Sequence, residues 1–135
     1  MNGARIFLDT NVFVYMYDAS TPKKKEISLS LLDSNECITS TQAMNELCNV
    51  LTRKFKTPLS NVKQILHDIQ QVTEVRLINT DTILYTLGIM EQYQYSYYDS
   101  LMLASALESN CTTLVSEDMQ SGQLINNMLK ILNPY

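Results

Sequence analysis

Short apolar runs without alternation, each followed by a stretch with helical spacing, recur along the whole chain. Ile6-Phe7-Leu8, Cys37-Ile38-Thr39, Val75 with Leu77 and Ile78, and Thr112 to Val115 have the pattern of strands buried on both faces. Between them apolar residues stand three and four apart. Ile27, Leu31 and Leu32 mark a helix over 22–33, and Met44, Leu47, Leu51 and Phe55 share one face behind a cap at Ser40 or Thr41. Val62, Ile65, Leu66, Ile69 and Val72 mark a helix over 60–72, with Pro58 and Ser60 as start signals. Ile83, Leu84, Leu87 and Met90 follow a cap at Thr80 and Asp81, and a tyrosine-rich turn, Tyr93 to Tyr98, leads into a helix over 97–109. Residues 11–16 stay apolar behind the Asp9-Thr10-Asn11 turn and are expected to begin as a strand that hands over to a helix. Leu129 to Leu132 is expected to close the sheet as an edge strand. Strands that alternate with helices predict an α/β fold, a three-layer sandwich with a mostly parallel sheet flanked by helices. The chain has 135 residues, 45% of them apolar, enough for one core. No repeat or linker divides it, so residues 1–135 are expected to form a single domain.

Several chemistries are excluded by what is scarce. His67 is the one histidine, and it falls on the polar side of the 60–72 helix, where it serves neither a histidine pair nor a Ser-His-Asp triad. Glycines at 3, 88 and 122 form neither a dinucleotide fingerprint nor a P-loop. Cys37, Cys48 and Cys111 are odd in number and widely spaced, as single thiols are in a reducing compartment. The start, Met1 to Arg5, runs into Ile6-Phe7-Leu8 and at once to Asp9, which suits neither a signal segment nor a membrane span. A cytoplasmic protein is expected. A formal net charge of −4 gives no basic surface to attract nucleic acid.

The acids carry the chemistry instead. Asp9 follows the first strand directly, and Asp118 follows the strand ending at Val115, so both project from the carboxyl rim of the sheet, where ligands of parallel sheets bind. Glu46 lies one and a half turns into the helix after the second strand, and Asp99 opens the 97–109 helix, so both face the same rim. Each alone has an ordinary use as a cap, a turn residue or a solvated helix residue. Together they are a strained set, because their sequence neighbours are apolar and bring no cation. Two carboxylates about 5 Å apart repel by roughly 3 kcal/mol at an effective dielectric near 20. Four in one pocket need a cation to stay ionised, and oxygen ligands favour Mg²⁺ or Mn²⁺ over Zn²⁺. Setting these four aside leaves ten acids against ten bases, so the net charge is that of the quartet.

Four stretches, in order and spanning nearly the whole chain, carry a resemblance: Phe7-Leu8-Asp9-Thr10-Asn11-Val12; Ser40-Thr41-Gln42 through Asn45-Glu46-Leu47; Tyr98-Asp99-Ser100-Leu101 on to Ala104 and Ala106; and Leu114-Val115-Ser116-Glu117-Asp118-Met119-Gln120. In these the chain resembles the PIN-domain ribonucleases, in particular the VapC-type toxins of toxin–antitoxin pairs. The resemblance implies a PIN-like fold and a metal-dependent endoribonuclease that hydrolyses RNA. Asp9, Glu46, Asp99 and Asp118 would be the catalytic metal ligands for Mg²⁺ or Mn²⁺, with Asn11 and Ser116 supporting them by hydrogen bonds. Glu117 stands open as a replacement or supplement for Asp118. The implied partners are an RNA substrate, an antitoxin protein and a second copy in a homodimer, for which the last strand and the tyrosine turn offer apolar surface.

Two alternatives remain beside it. A haloacid-dehalogenase-like phosphohydrolase would use Asp9 as nucleophile, although Asp9-Thr10-Asn11 lacks that family's second acid, and a silent PIN-like interaction module would bind without cleaving. Lys23, Lys24 and Lys25, and Arg53, Lys54 and Lys56, are either phosphate contacts or a solvated helix face. Tyr93, Tyr95, Tyr97 and Tyr98 are expected in the core or at an interface, with stacking on unpaired bases as the alternative.

Overall fold

A computed structural model of the chain describes residues 3–135. Met1 and Asn2, part of the stretch read above as carrying no leader, lie outside them. Strand β1 (Arg5–Leu8) is central, and its alternation divides the core. Ile6 and Leu8 point to one face and join Val12, Phe13, Leu47, Leu51, Val62, Ile69 and Val115, whereas Phe7 points to the other and joins Ile38, Leu103, Leu114 and Ile131. The register agrees, with Phe7 paired to Ile38 on one side and to Leu114 on the other.

Around β1 the chain builds α1 (Thr10–Tyr17), α2 (Pro22–Ser34), β2 (Glu36–Ser40), α3 (Thr41–Arg53), α4 (Leu59–Val72), β3 (Glu74–Arg76), α5 (Thr80–Tyr93), α6 (Tyr97–Glu108), β4 (Thr113–Val115), β5 (Leu124–Ile125) and β6 (Leu129–Leu132). The sheet order is β3-β2-β1-β4-β6-β5, parallel except for β5. Helices α1, α3 and α4 pack on one face and α5 and α6 on the other, the three-layer α/β sandwich expected from the alternation. No helix of the described residues is long and apolar enough to cross a membrane.

Capping fixes several helix starts. Asp9 accepts from Thr10 N–H, Ser40 Oγ from Ala43 N–H, Asn79 Oδ1 from Thr82 N–H and Ser96 Oγ from Asp99 N–H. Asn79, not Thr80 or Asp81, is therefore the cap of α5. Residues 11–16 are helical throughout: α1 buries Thr10, Val12, Phe13, Val14 and Met16, and a helix buried on most sides loses its period and reads like a strand. The third strand stops at Arg76, since Leu77 is 77% exposed and Ile78 donates its N–H out of the ladder to Thr41 Oγ1. Phe55 lies beyond the end of α3 and is exposed, as is Val72 at the end of α4. In α5 the inward residues are Thr82, Thr86 and Ile89, while Ile83, Leu84 and Leu87 face outward. Small threonines let α5 lie close on α6, and Thr86 returns its hydroxyl to Thr82 O.

The edge beyond β4 also differs, because β6 is covered by β5 and is not an edge. Asn126 and Asn127 both have positive φ, and Met128 N–H donates to Ile125 O, the mark of a tight hairpin turn with inverted dihedrals. Cys37 and Cys111 are buried, Cys48 is half-buried, and none is bridged. His67 is exposed on α4.

Helix α5 ends at Gln94 in the left-handed conformation, φ 61°. A side chain is disfavoured there, so Gln94→Gly is expected to stabilise the protein by about 0.5–1 kcal/mol, read as a higher denaturation midpoint.

Candidate active site

Parallel strands end along one edge of the sheet, and their order reverses between β1 and β4. Crossovers leave that point toward opposite faces, which opens a crevice beyond the carboxyl ends. Asp9 enters it from the end of β1, its N–H donating to Val115 O at 3.1 Å. Both its oxygens are held: Oδ1 accepts from Thr10 N–H at 2.7 Å and Oδ2 from the Ser116 hydroxyl at 2.8 Å. Ser116 Oγ accepts in turn from Asp118 N–H at 3.2 Å, and Asp118 Oδ2 accepts from Asn11 Nδ2 at 2.9 Å. Glu46 reaches the crevice from α3 and Asp99 from the first turn of α6. All four acids line one cleft of about 120 Å³ with Thr10, Asn11, Val50, Tyr98 and Met102.

The cleft penalises charge. Asp9 is 7% exposed, and burial pushes its carboxyl from 3.8 up to about 6, with the charges of Asp118 and Asp99 adding and the bonds from Ser116 and Thr10 opposing. Burial also raises Glu46, helped by the charge of Asp9, opposed by the neighbouring Gln42 and Thr10 side chains, and helped further by Asp99; it raises Asp99 likewise, opposed by Ser96 and helped by Asp118. Among the described residues no Lys, Arg or His lines the cleft. Glu46 Oε2 and Thr10 Oγ1 are buried without a hydrogen-bond partner, a costly state for polar atoms. As the side chains stand, no three His, Cys, Asp or Glu of the described residues are close enough to hold one ion. The donor chemistry nevertheless suits a hard divalent cation: every donor is oxygen, several are carboxylates, and one buried oxygen is unpaired.

Glu117 takes no place in the cleft. It is paired with Lys24 at 3.1 Å and accepts from the Tyr15 hydroxyl, while the Lys24 ammonium sits 4.7 Å from the centre of the Tyr15 ring. Lys24 is thus spent on Glu117, and Arg53, Lys54 and Lys56 are exposed at and beyond the end of α3. The tyrosines divide. Tyr93 and Tyr95 pack against the core and bond to Asn126 and Gln123, whereas Tyr98 is 55% exposed at the mouth of the cleft. Sequence reasoning singled out neither the Thr10 hydroxyl nor the Lys24–Glu117 pair. Thr10 had a signal in its place between Asp9 and Asn11; the pair, 93 positions apart, had none.

The fold and this crevice define an α/β protein with a carboxylate cleft at the carboxyl edge of its sheet. Residues 6–121 match the PIN domain, and the chain belongs to the PIN-domain family, whose nucleases are in general metal-dependent. No curated protein matches the sequence. Among solved structures the chain is similar to VapBC2 from Rickettsia felis, bound to a DNA fragment from its promoter, with a TM-score of 0.68 and 19% identity over 96% of this chain and 99% of that one. A toxin–antitoxin complex from Klebsiella pneumoniae aligns with a TM-score of 0.71 and 15% identity, covering 96% of this chain and 98% of the other. VapC20 of Mycobacterium tuberculosis, described as a sarcin-ricin loop cleaving toxin, aligns with a TM-score of 0.63 and 19% identity over 81% and 86% of the two chains. At such identities the likeness is one of fold.

Because folding raises the Asp9 pKa, the folded state holds a proton that the unfolded state has lost between pH 3.8 and about 6. Stability contributed by that proton is complete below 3.8 and lost as pH rises through about 6, a cost of about 3 kcal/mol above it. In EDTA, Asp9→Asn is expected to unfold at higher urea than the wild type at pH 7.5, with the difference shrinking toward zero near pH 4. A difference that does not vary with pH would assign the effect to something other than the carboxyl charge.

Proposed function

We propose that this protein is a metal-dependent endoribonuclease that hydrolyses RNA phosphodiester bonds and acts as the toxin of a toxin–antitoxin pair. One observation carries the enzymatic part: four carboxylates from four separate segments line one cleft at the switch point of the sheet, with no Lys, Arg or His among its described residues and one buried unpaired carboxylate oxygen. Asp9, Glu46, Asp99 and Asp118 would hold Mg²⁺ or Mn²⁺. Asp9 and Asp118 are oriented already by Thr10, Ser116 and Asn11, and Glu46 and Asp99 would complete the ligand set. A divalent ion there supplies charge that acidifies water and offsets the negative phosphate as it is attacked. The acids would hold the ion, and among the described residues no Lys, Arg or His lines the cleft to take its place. Asp9-Thr10-Asn11 has no acid two residues beyond Asp9, which weighs against the phosphohydrolase alternative.

The toxin role is supported by the family and by fold neighbours that are described as toxins or as toxin–antitoxin complexes. An antitoxin and a second copy of the chain are the partners this implies. Apolar surface for them lies on α5, where Ile83, Leu84 and Leu87 are exposed, and not on Tyr93 and Tyr95, which are turned inward.

The test is cleavage of single-stranded RNA in Mn²⁺ and in EDTA. Asp99→Asn is expected to lower the Mn²⁺-dependent rate about a hundredfold or more while keeping the wild-type circular dichroism spectrum. RNA left intact by the wild type in Mn²⁺ would favour the silent interaction module.

Free Mn²⁺ at about 100 times its dissociation constant is expected to add about 2.7 kcal/mol of stability if the ion binds only the folded state. Melting curves with and without EDTA measure it, and Asp9→Asn should lose most of the shift. An equal shift in both proteins would move the ion elsewhere.

A further inference from the structure

The acid cleft continues into a wider hollow of about 360 Å³, lined by Gln42, Asn45, Glu46, Asn49, Val50 and Tyr98. Glu46, Val50 and Tyr98 line both, so the hollow begins where the carboxylates end. Gln42, Asn45 and Asn49 stand three and four residues apart on α3 and share one face. Asn45 and Asn49 are exposed, and neither side-chain amide hydrogen-bonds to a described residue. Tyr98 faces this row with its ring held edge-on against Tyr97, centroids 5.2 Å apart at 81°.

The hollow has an exposed aromatic face, a row of amides and, among the described residues, no cation, beside a strongly acidic cleft. A phosphate placed there would be repelled by Glu46, and a peptide helix would find little beyond Val50 to bury. A neutral heterocycle with hydrogen-bonding edges satisfies both conditions, because aromatic side chains stack on bases and Asn and Gln bond base edges. We propose that the hollow binds an unpaired nucleobase of the RNA, next to the phosphodiester presented to the acids. Tyr98 stacks on the base, and Gln42, Asn45 and Asn49 read its edge. The assignment rests on the ribonuclease reading and deepens it by placing one base beside the cleaved bond, a base whose edge is unpaired and whose face is unstacked from its neighbours. Arg53, four residues beyond Asn49 on the same face and about 10 Å along the helix from Glu46, is exposed where a further phosphate of that strand would pass.

The experiment follows binding by anisotropy of labelled RNA hexanucleotides, with Ca²⁺ replacing Mn²⁺ to prevent turnover. Three probes are used: a single strand, the same strand with an abasic nucleotide stepped through each position, and its duplex. The wild type is expected to prefer the single strand to the duplex and to lose affinity when one particular position is abasic. Tyr98→Leu should weaken binding of the intact strand by roughly fivefold to a hundredfold and abolish the abasic effect. Asn45→Ala, at an exposed position that folding does not need, should alter the preference among the four bases. Equal binding by wild type and Tyr98→Leu, indifference to every abasic position, or no single-strand binding at all would each overturn the subsite. Cleavage in Mn²⁺ is scored separately. Binding with the abasic signature but no cleavage sinks the ribonuclease and leaves the subsite, whereas cleavage unaffected by Tyr98→Leu does the reverse.

Discussion

A carboxylate that is both buried and charged must be held by something, and Asp9 is the carboxylate on which this architecture turns. It stands at the end of the central strand with 7% of its surface exposed, where burial alone drives its affinity for a proton up. The chain answers with Thr10 N–H at the start of α1 and with the Ser116 hydroxyl at the end of β4. Both donors exist only if β1 is followed at once by a helix and lies beside β4. The same pairing brings Asn11 to Asp118 and presents the Asp118 N–H to Ser116 Oγ. One buried acid thereby ties the first strand, the first helix and the chain after β4 into a single hydrogen-bonded corner.

Next to that corner a fifth acid is disposed of differently. Glu117 precedes Asp118 by one residue, yet its carboxylate is engaged by Lys24 and Tyr15 on the helices flanking β1. The Tyr15 ring meets Tyr135 edge-on at 5.1 Å, and Tyr135 shares a hydrogen bond with Ser28 of α2. Pairing Glu117 outside the cleft keeps a fifth charge from adding to the repulsion within it. It also fixes the backbone from which Asp118 extends.

The central strands were legible because strands buried on both faces are apolar without alternation, and Asp9 and Asp118 because an acid just after a parallel strand stands at the carboxyl rim. Glu46 and Asp99 were placed differently, by helices whose first turns face that rim. Where burial is graded the sequence pattern is less informative. Helix α1, enclosed on most sides, carries no period, and in α5 the bulky Ile83, Leu84 and Leu87 face outward while the smaller Thr82 and Thr86 face inward, the reverse of what size and hydropathy predict. The β5–β6 hairpin left a local signal in Asn126-Asn127, two residues that tolerate positive φ, but its first strand is too short to show a pattern. The Lys24–Glu117 pair joins distant segments and left no local signal, whereas Tyr98 was marked by its run of tyrosines but is set apart from Tyr93 and Tyr95 only by its exposure at the cleft mouth.

The four acids differ in what restrains them. Asp9 and Asp118 belong to the corner and are pinned by hydrogen bonds, whereas Glu46 and Asp99 come from α3 and α6, which pack on opposite faces of the sheet. The cleft is therefore the seam where the two helical layers meet over the sheet edge. A cation taken up there, as proposed, would join those layers as well as neutralise the acids, so ion binding and cohesion of the layers would be one event. The amide row of α3 and the Tyr98 ring of α6 flank the same seam from its two sides. A strand lying between them would touch both layers at once, and its path would be set by the sheet edge, with no mobile lid required.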